Sequence, residues 1–149
     1  MQVLHSNDVL TLGDFWTGNV LVDHGEAEHE LKLTVLDFEL SKPGTAEFDV
    51  GQMAAEMYCL SAFRDQERGS ALLDSFLKAY RQSRNVDAAK VAIRIGAHLF
   101  VIMPSAWSTE ASQDKIEDAL AIGAELVRIG VEKDVDGLRG SMLHELFSN

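Results

Sequence analysis

The chain has 149 residues, of which 46% are hydrophobic and 25% are charged, so it is long and apolar enough to bury one globular core. Its 24 acidic and 13 basic residues give a net charge of -11, which argues against a nucleic-acid partner because such a partner requires a basic surface. The sequence lacks a run of about 18 apolar residues, so it also argues against a membrane span and a membrane partner.

The first third of the chain is predicted to form short strands and loops. The segments Val9–Leu12, Val20–Val22 and Leu31–Leu36 are rich in aliphatic and β-branched residues, which favours strands. The last two would pair as a hairpin, because the residues between them are polar and include a glycine. Ser41–Gly44 contains Pro and Gly and is predicted to be a turn.

From Asp49 onward the hydrophobic spacing changes to the three-to-four-residue period of a helix, and Asp49 is the predicted N-cap of the first one. Further helical segments are predicted at about Asp65–Gln82, Asp87–Met103, Glu110–Glu132 and Leu138–Phe147, with Pro104 ending or kinking the segment before it. The predicted fold class is therefore α+β and mainly helical. A small β-hairpin element that carries a loop would pack on a helical bundle.

Three polar residues in the strand-rich part suggest phosphoryl transfer. Asp14 follows Gly13 in a loop, Asn19 comes five residues later, and Asp37 directly follows an apolar strand. Phosphoryl transfer needs one carboxylate that takes the proton of the acceptor hydroxyl, and an amide oxygen and a second carboxylate that hold Mg²⁺ on the phosphates. Asp14 can be the catalytic base, and Asn19 and Asp37 the metal and nucleotide ligands. A turn-capping Asp and a loop-stabilising Asn are the structural alternatives.

This pattern resembles the catalytic half of the aminoglycoside phosphotransferase and choline kinase family, small-molecule kinases with a protein-kinase-like fold. The matching residues, in chain order, are Gly13-Asp14, Asn19, Asp37-Phe38-Glu39 and Phe48-Asp49-Val50-Gly51. Leu12 stands where the family usually has His, which puts the rigidity of the loop in doubt more than the chemistry. The resemblance implies that residues 1–149 form one domain, equivalent to the C-terminal catalytic lobe. It also implies ATP as phosphoryl donor, Mg²⁺ as cofactor and a small-molecule hydroxyl, as in an aminoglycoside, choline or methylthioribose, as acceptor.

Three further residues are candidates for supporting roles. Glu39 would support the metal through water or contact the acceptor, or else lie on the surface. By similarity, Asp49 would bond to the backbone of the catalytic loop, a structural role that we favour over direct chemistry. Trp16 would shape the acceptor site or pack, whereas Phe15 is expected in the core. The negative net charge is compatible with a cationic acceptor.

Kinases of this fold hold ATP between two lobes, and the smaller lobe supplies a covering loop and a lysine. Only eight residues precede the Val9 strand, so the N-terminal ATP-binding lobe is expected to be absent. We therefore expect a fragment or incomplete gene model of a phosphotransferase, with little activity alone. The alternatives are a non-catalytic kinase-like binding or regulatory module, and a lobe that acts when a longer form or another chain supplies the missing part.

Weaker signals favour structural roles. A cluster in the hairpin loop is expected to be flexible and polar rather than a metal site; its members are His24, His29, Glu26, Glu28 and Glu30. His98, in an apolar helix, is predicted to be a hydrogen-bonded core histidine. Cys59 is predicted to be a buried packing residue, and a single cysteine indicates a reducing, cytoplasmic location.

Overall fold

The computed structural model of the protein describes residues 9–25, 31–107 and 111–148. It confirms the mainly helical α+β fold, in which short strands precede a set of helices. The strands are β1 (Val9–Thr11), β2 (Val20–His24), β3 (Leu31–Val35) and β4 (Lys42–Gly44), and the helices are α1 (Ala46–Phe63), α2 (Gln66–Ser83), α3 (Ala88–Val101), α4 (Met103–Ala106), α5 (Gln113–Glu132) and α6 (Val135–Gly140). Short 3-10 turns cover Thr17–Asn19 and His144–Phe147.

Within the described ranges, the strands form two antiparallel pairs. The predicted hairpin is confirmed as β2 and β3, with Val20 opposite Val35 and His24 opposite Leu31. Most of the polar segment between these strands, residues 26–30, lies outside the described residues, and so does that part of the predicted flexible loop.

The prediction of a turn at Ser41–Gly44 was wrong. Lys42–Gly44 is strand β4, which pairs with β1 so that Pro43 lies opposite Leu10. Pro lacks an N–H donor, but a two-stranded pair tolerates it because each strand has a free edge. The turn lies just before this strand, at residues 38–41, where the Ser41 amide donates to the Phe38 carbonyl at 3.0 Å.

The predicted N-cap of the first helix was also wrong. Helix α1 begins at Ala46 with Thr45 as its N-cap, so Asp49 lies one turn inside the helix. Asp65 and Asp87, in contrast, do cap α2 and α3, because their carboxylates accept the amides of residues two or three positions later.

The later helices differ from their predicted bounds. Helix α3 ends at Val101, and Pro104 lies in the first turn of α4, where its missing N–H costs nothing. Residues 108–110, where the fourth predicted helix was to begin, lie outside the described residues, and α5 begins at Gln113. The single helix predicted over Leu138–Phe147 is replaced by α6 and a 3-10 turn.

The core lies between α1, α2, α3 and α5, and α1 is buried on nearly every face. The largest fully buried side chains of the core are Leu77, Ile95, Leu99, Met103, Ile129 and Leu143. None of the helices in the described ranges combines the length and the hydropathy that crossing a lipid bilayer requires.

Two predictions about single residues in the core are confirmed. Cys59 is fully buried. His98 is a hydrogen-bonded core histidine, because its Nε2 lies 2.7 Å from Glu56 Oε1. The other carboxylate oxygen of Glu56 accepts the Trp107 indole N–H at 3.3 Å, so a carboxylate in the core has two partners.

Candidate active site

The loop that carries Asp14 is held in place by α1. The Leu12 amide donates to Asp49 Oδ2 at 2.7 Å and the Gly13 amide donates to Asp49 Oδ1 at 3.1 Å. The predicted contact between Asp49 and the loop backbone is therefore present. One carboxylate that accepts two backbone amides fixes the start of the loop relative to the core helix.

Gly13 allows the chain to turn immediately before Asp14. Its φ of +84° lies in the left-handed region, which glycine adopts without strain. A Cβ at this position would also lie 2.5 Å from the Leu40 carbonyl oxygen, so the backbone after Asp37 closes over the loop. Residue 13 must therefore be glycine for both reasons.

Asp14 and Asn19, which the sequence analysis predicted to act together, are in direct contact. Asn19 Nδ2 donates to the Asp14 carbonyl at 3.0 Å and lies 3.4 Å from Asp14 Oδ2. The other carboxylate oxygen of Asp14, Oδ1, accepts the side-chain amide of Gln52 at 2.8 Å. The base candidate is thus held by two side-chain amides, one from its own loop and one from α1.

Asp37 lies two residues after β3, directly after the residue that contacts Asn19. The Leu36 amide donates to the Asn19 carbonyl at 2.9 Å, which extends the β2–β3 ladder by one step, and Asp37 is the next residue. Its φ of +61° is left-handed, a conformation that Asp tolerates better than most residues. Asp37 is exposed, and among the described residues no hydrogen bond joins its carboxylate to Asp14 or Asn19.

The supporting candidates have different surroundings. Glu39 is exposed in the turn after Asp37. Trp16 is 38% exposed, and its ring lies against Gly18, where a Cβ would be only 2.4 Å from the indole. Phe15 packs against the core, with its ring centroid 6.5 Å from that of Phe76, as predicted. Trp16 thus shapes the loop between Asp14 and Asn19, while Phe15 anchors it.

Sequence reasoning missed Gln52 and Arg94. Gln52 is three residues after Asp49 and so lies on the same face of α1, a signal that was available in the sequence. Arg94 comes from α3, and its Nη2 lies 3.5 Å from Gln52 Oε1. No local pattern indicated Arg94, because its contact with Gln52 spans 42 residues.

An apolar cavity of about 360 Å³ lies under the hairpin and is separate from the polar site. Its lining comes from the loop, the inner face of β2 and β3, and helices α1 and α2. The lining does not include Asp14, Asn19 or Asp37. The lining residues Phe15, Thr17 and Val20 belong to the same stretch of chain as Asp14 and Asn19, so the cavity lies beside the loop that carries the candidate base.

The chain is similar to known proteins along this part of its length. The model of the phosphotransferase enzyme family, APH, matches residues 2–92. The 4-hydroxytryptamine kinase of Psilocybe cubensis is 33% identical over 102 residues, which are 66% of this chain and 28% of that protein. The protein of the same name from Psilocybe cyanescens is 28% identical over 145 residues, which are 95% of this chain and 40% of that protein.

A third relative is the phosphotransferase FrzJ of a Cladobotryum species, 24% identical over 147 residues. The matched residues are 98% of this chain and 35% of that protein, so the chain spans between 28% and 40% of the length of these three relatives. The family match covers more than half of the chain and contains Asp14, Asn19, Asp37 and Asp49. The chain belongs to the aminoglycoside phosphotransferase (APH) family of phosphotransferase enzymes.

Proposed function

We propose that this chain is the catalytic lobe of an ATP- and Mg²⁺-dependent phosphotransferase that acts on the hydroxyl group of a small molecule. The observation that carries the proposal is the direct contact between Asp14 and Asn19 in a loop that Asp49 ties to α1. Asp37 adds to it, because it follows the residue that bonds to the Asn19 backbone. Family membership supports the reaction class.

In the proposed reaction, the acceptor oxygen forms a bond to the γ-phosphorus of ATP. The bond between that phosphorus and the β–γ bridging oxygen breaks, and its electron pair leaves with ADP. The hydroxyl proton passes to the carboxylate of Asp14, which would orient the acceptor through a hydrogen bond before transfer. Asp14 is only half-buried, so a small acceptor can reach it.

Asn19 and Asp37 have the chemistry that Mg²⁺ requires. Asn19 uses its Nδ2 to hold Asp14, which leaves its amide oxygen as the end that a hard cation would take. Asp37 offers an exposed carboxylate one residue beyond the hydrogen bond to Asn19. When bound, Mg²⁺ would neutralise charge on the phosphates.

The described residues contain no group of three or more His, Cys, Asp or Glu side chains that could cage a metal ion. The usual magnesium site at a phosphate takes one or two protein ligands and retains several waters, and the two ligands proposed here match that number. A weak site that depends on the nucleotide is therefore the expected behaviour.

The acceptor that we propose to test first is 4-hydroxytryptamine, because two of the relatives are named as kinases of that compound. It carries both a hydroxyl and an amine that is cationic at neutral pH. A chain with a net charge of -11 would attract such a compound. Aminoglycosides, choline and methylthioribose form the rest of the acceptor panel.

The alternative is a non-catalytic kinase-like binding or regulatory module. The chain spans at most 40% of the length of these relatives, so the activity of a whole protein of that length is a proposal for this chain. We expect little turnover from the 149-residue chain by itself, with an N-terminal ATP-binding lobe supplied by a longer form.

The proposal also places the protein in the cytoplasm. It is supported by the single cysteine, Cys59, whose buried thiol suits a reducing compartment. The acidic surface disfavours a nucleic-acid or membrane partner, so a small molecule is the partner that we propose.

The test is to incubate the purified chain with Mg-ATP and each acceptor, and to detect the phosphorylated product by mass spectrometry. Asp14→Asn should abolish transfer, whereas Asp118→Asn, a change of an exposed residue on α5, should not. Transfer that survives in Asp14→Asn would show that Asp14 is not the base.

Binding of Mg-ATP without transfer, weakened by Asp37→Asn, would favour the binding module instead. Asn also tolerates a left-handed backbone, so this variant removes the charge without adding strain. If the wild-type chain neither binds Mg-ATP nor transfers phosphate, both functions are wrong for this chain.

A further inference from the structure

We propose that Gln52 of α1 and Arg94 of α3 are positioning residues that hold the Asp14 carboxylate in one orientation. The importance of that orientation rests on the proposed function, in which Asp14 accepts the proton of the hydroxyl. The contacts themselves do not depend on it. Neither residue belongs to the motif that identified the site.

Gln52 binds one of the two carboxylate oxygens of Asp14 and leaves the other more weakly bound. Its Nε2 donates to Asp14 Oδ1 at 2.8 Å, a normal hydrogen-bond length, and its side chain is only 8% exposed. Among the residues that the structure describes, Asp14 Oδ2 has only the longer contact of 3.4 Å with Asn19. The carboxylate is therefore held through Oδ1, and Oδ2 is the oxygen left for an acceptor hydroxyl.

Arg94 fixes which end of the Gln52 amide faces Asp14. A carboxylate only accepts hydrogen bonds and a guanidinium only donates them. Gln52 lies between the two, with Nε2 towards Asp14 and Oε1 towards Arg94 Nη2 at 3.5 Å. The reversed amide would place oxygen against the carboxylate and N–H against the guanidinium. The charges on both sides thus permit one orientation only.

The position of Arg94 is itself determined by a single turn of α1. Its guanidinium carbon lies 4.0 Å from the centroid of the Phe48 ring, a cation–π arrangement. Its methylenes cross the helix at Gly51, where a Cβ would lie 2.5 Å from Arg94 Cγ. Burial lowers the pKa of Arg94, and the nearby Asp49 carboxylate offsets part of that effect. The guanidinium nevertheless remains charged at neutral pH.

One turn, Phe48–Gln52, therefore supplies four functions. Phe48 supports the guanidinium, Asp49 holds the loop amides, Gly51 leaves room for Arg94, and Gln52 holds the base. Arg94 Nε is buried without a hydrogen-bond partner among the described residues. Burying an unpaired donor is costly, whereas the contact of Arg94 with Gln52 is made by a different nitrogen, Nη2.

The spectroscopic test uses the ¹⁵N-labelled 149-residue chain and the side-chain amide signals of its glutamines. Gln52→Met identifies the Gln52 signals by their loss, and exposed Gln82 on α2 serves as the internal reference. We expect the bonded Nε2 proton of Gln52 to be shifted downfield and to exchange more slowly than those of Gln82. Asp14→Ala should remove both differences, and Arg94→Met should reduce them.

The matched control is Asp118→Ala, which should leave the Gln52 signals unchanged. If the Gln52 signals are the same in wild type and in folded Asp14→Ala, the two side chains do not interact and the proposal is wrong. The melting temperature of each variant shows whether it is folded.

The kinetic test asks whether this contact matters for transfer. Gln52→Met should lower kcat at least about tenfold, because a misplaced reacting group is costly, and should leave KM within about twofold. Gln82→Met should change neither. A role confined to stability would lower the melting temperature and leave kcat of the folded chain unchanged, which would overturn the proposal.

The two tests also separate the proposals. If the wild-type chain shows no transfer to any acceptor, the proposed function fails for this chain. The Gln52 signals then still decide whether Gln52 and Arg94 hold Asp14.

Discussion

Removing the carboxylate of Asp49 should destabilise the whole chain and not only the loop. Asp49→Ala leaves the amides of Leu12 and Gly13 without the acceptors that they now have at 2.7 and 3.1 Å. Alanine favours helix, which offsets the loss of an acidic side chain from the first turn of α1, so the local effect on the helix is small. Each buried donor left unpaired costs about 1–3 kcal/mol, and these amides are only partly buried, so we expect a loss of about 2–4 kcal/mol.

Asp49→Asn should cost about half as much, because the amide oxygen can still accept one of the two bonds. The loss in Asp49→Ala is a large share of the roughly 5–15 kcal/mol that stabilises a domain. It should appear in urea unfolding as a lower midpoint with an unchanged m-value, since the surface exposed on unfolding is the same.

The matched control is Asp65→Ala. Asp65 caps α2 and accepts a single exposed amide, that of Arg68, at 3.0 Å. Loss of such a cap costs about 1 kcal/mol. If Asp49→Ala costs no more than Asp65→Ala, or if Asp49→Asn and Asp49→Ala are equally unstable, then the pair of bonds does not anchor the loop.

Three other changes test the fold around the site. Gly13→Ala should cost more than about 2 kcal/mol of unfolding free energy, because it adds left-handed strain and a Cβ against the Leu40 carbonyl, and a melting temperature equal to wild type would contradict this. Burial raises the pKa of Cys59, so the folded chain holds less thiolate and should react with a thiol reagent at pH 8 far more slowly than the chain in urea; equal rates would show that the thiol is accessible. Glu56→Leu removes the acceptor of His98 and should cost about 3 kcal/mol or more in urea unfolding, whereas Glu56→Gln keeps an acceptor and should cost less; the reverse order would mean that the pair is not stabilising.

Local sequence patterns were enough to predict the hairpin, most of the helices and the family. These depend on local patterns: alternating or helical spacing of apolar residues, and an Asp and an Asn five residues apart in one loop. Asp14 and Asn19 are in contact because so few residues separate them. Their catalytic and metal-binding roles, and that of Asp37, remain predictions.

Tertiary structure alone decided which distant residues meet. Asp is a residue type that often forms N-caps, but the carboxylate of Asp49 accepts amides 36 and 37 residues earlier in the chain. Strand β4 forms although its Pro and Gly favour a turn, because β1, from residues 9–11, pairs with it. The segment that forms α3 is apolar on most faces, which predicts a central helix, but this pattern does not identify the residues that it contacts. Only the packing of α3 against α1 brings Arg94 to Gln52, and through it to the loop.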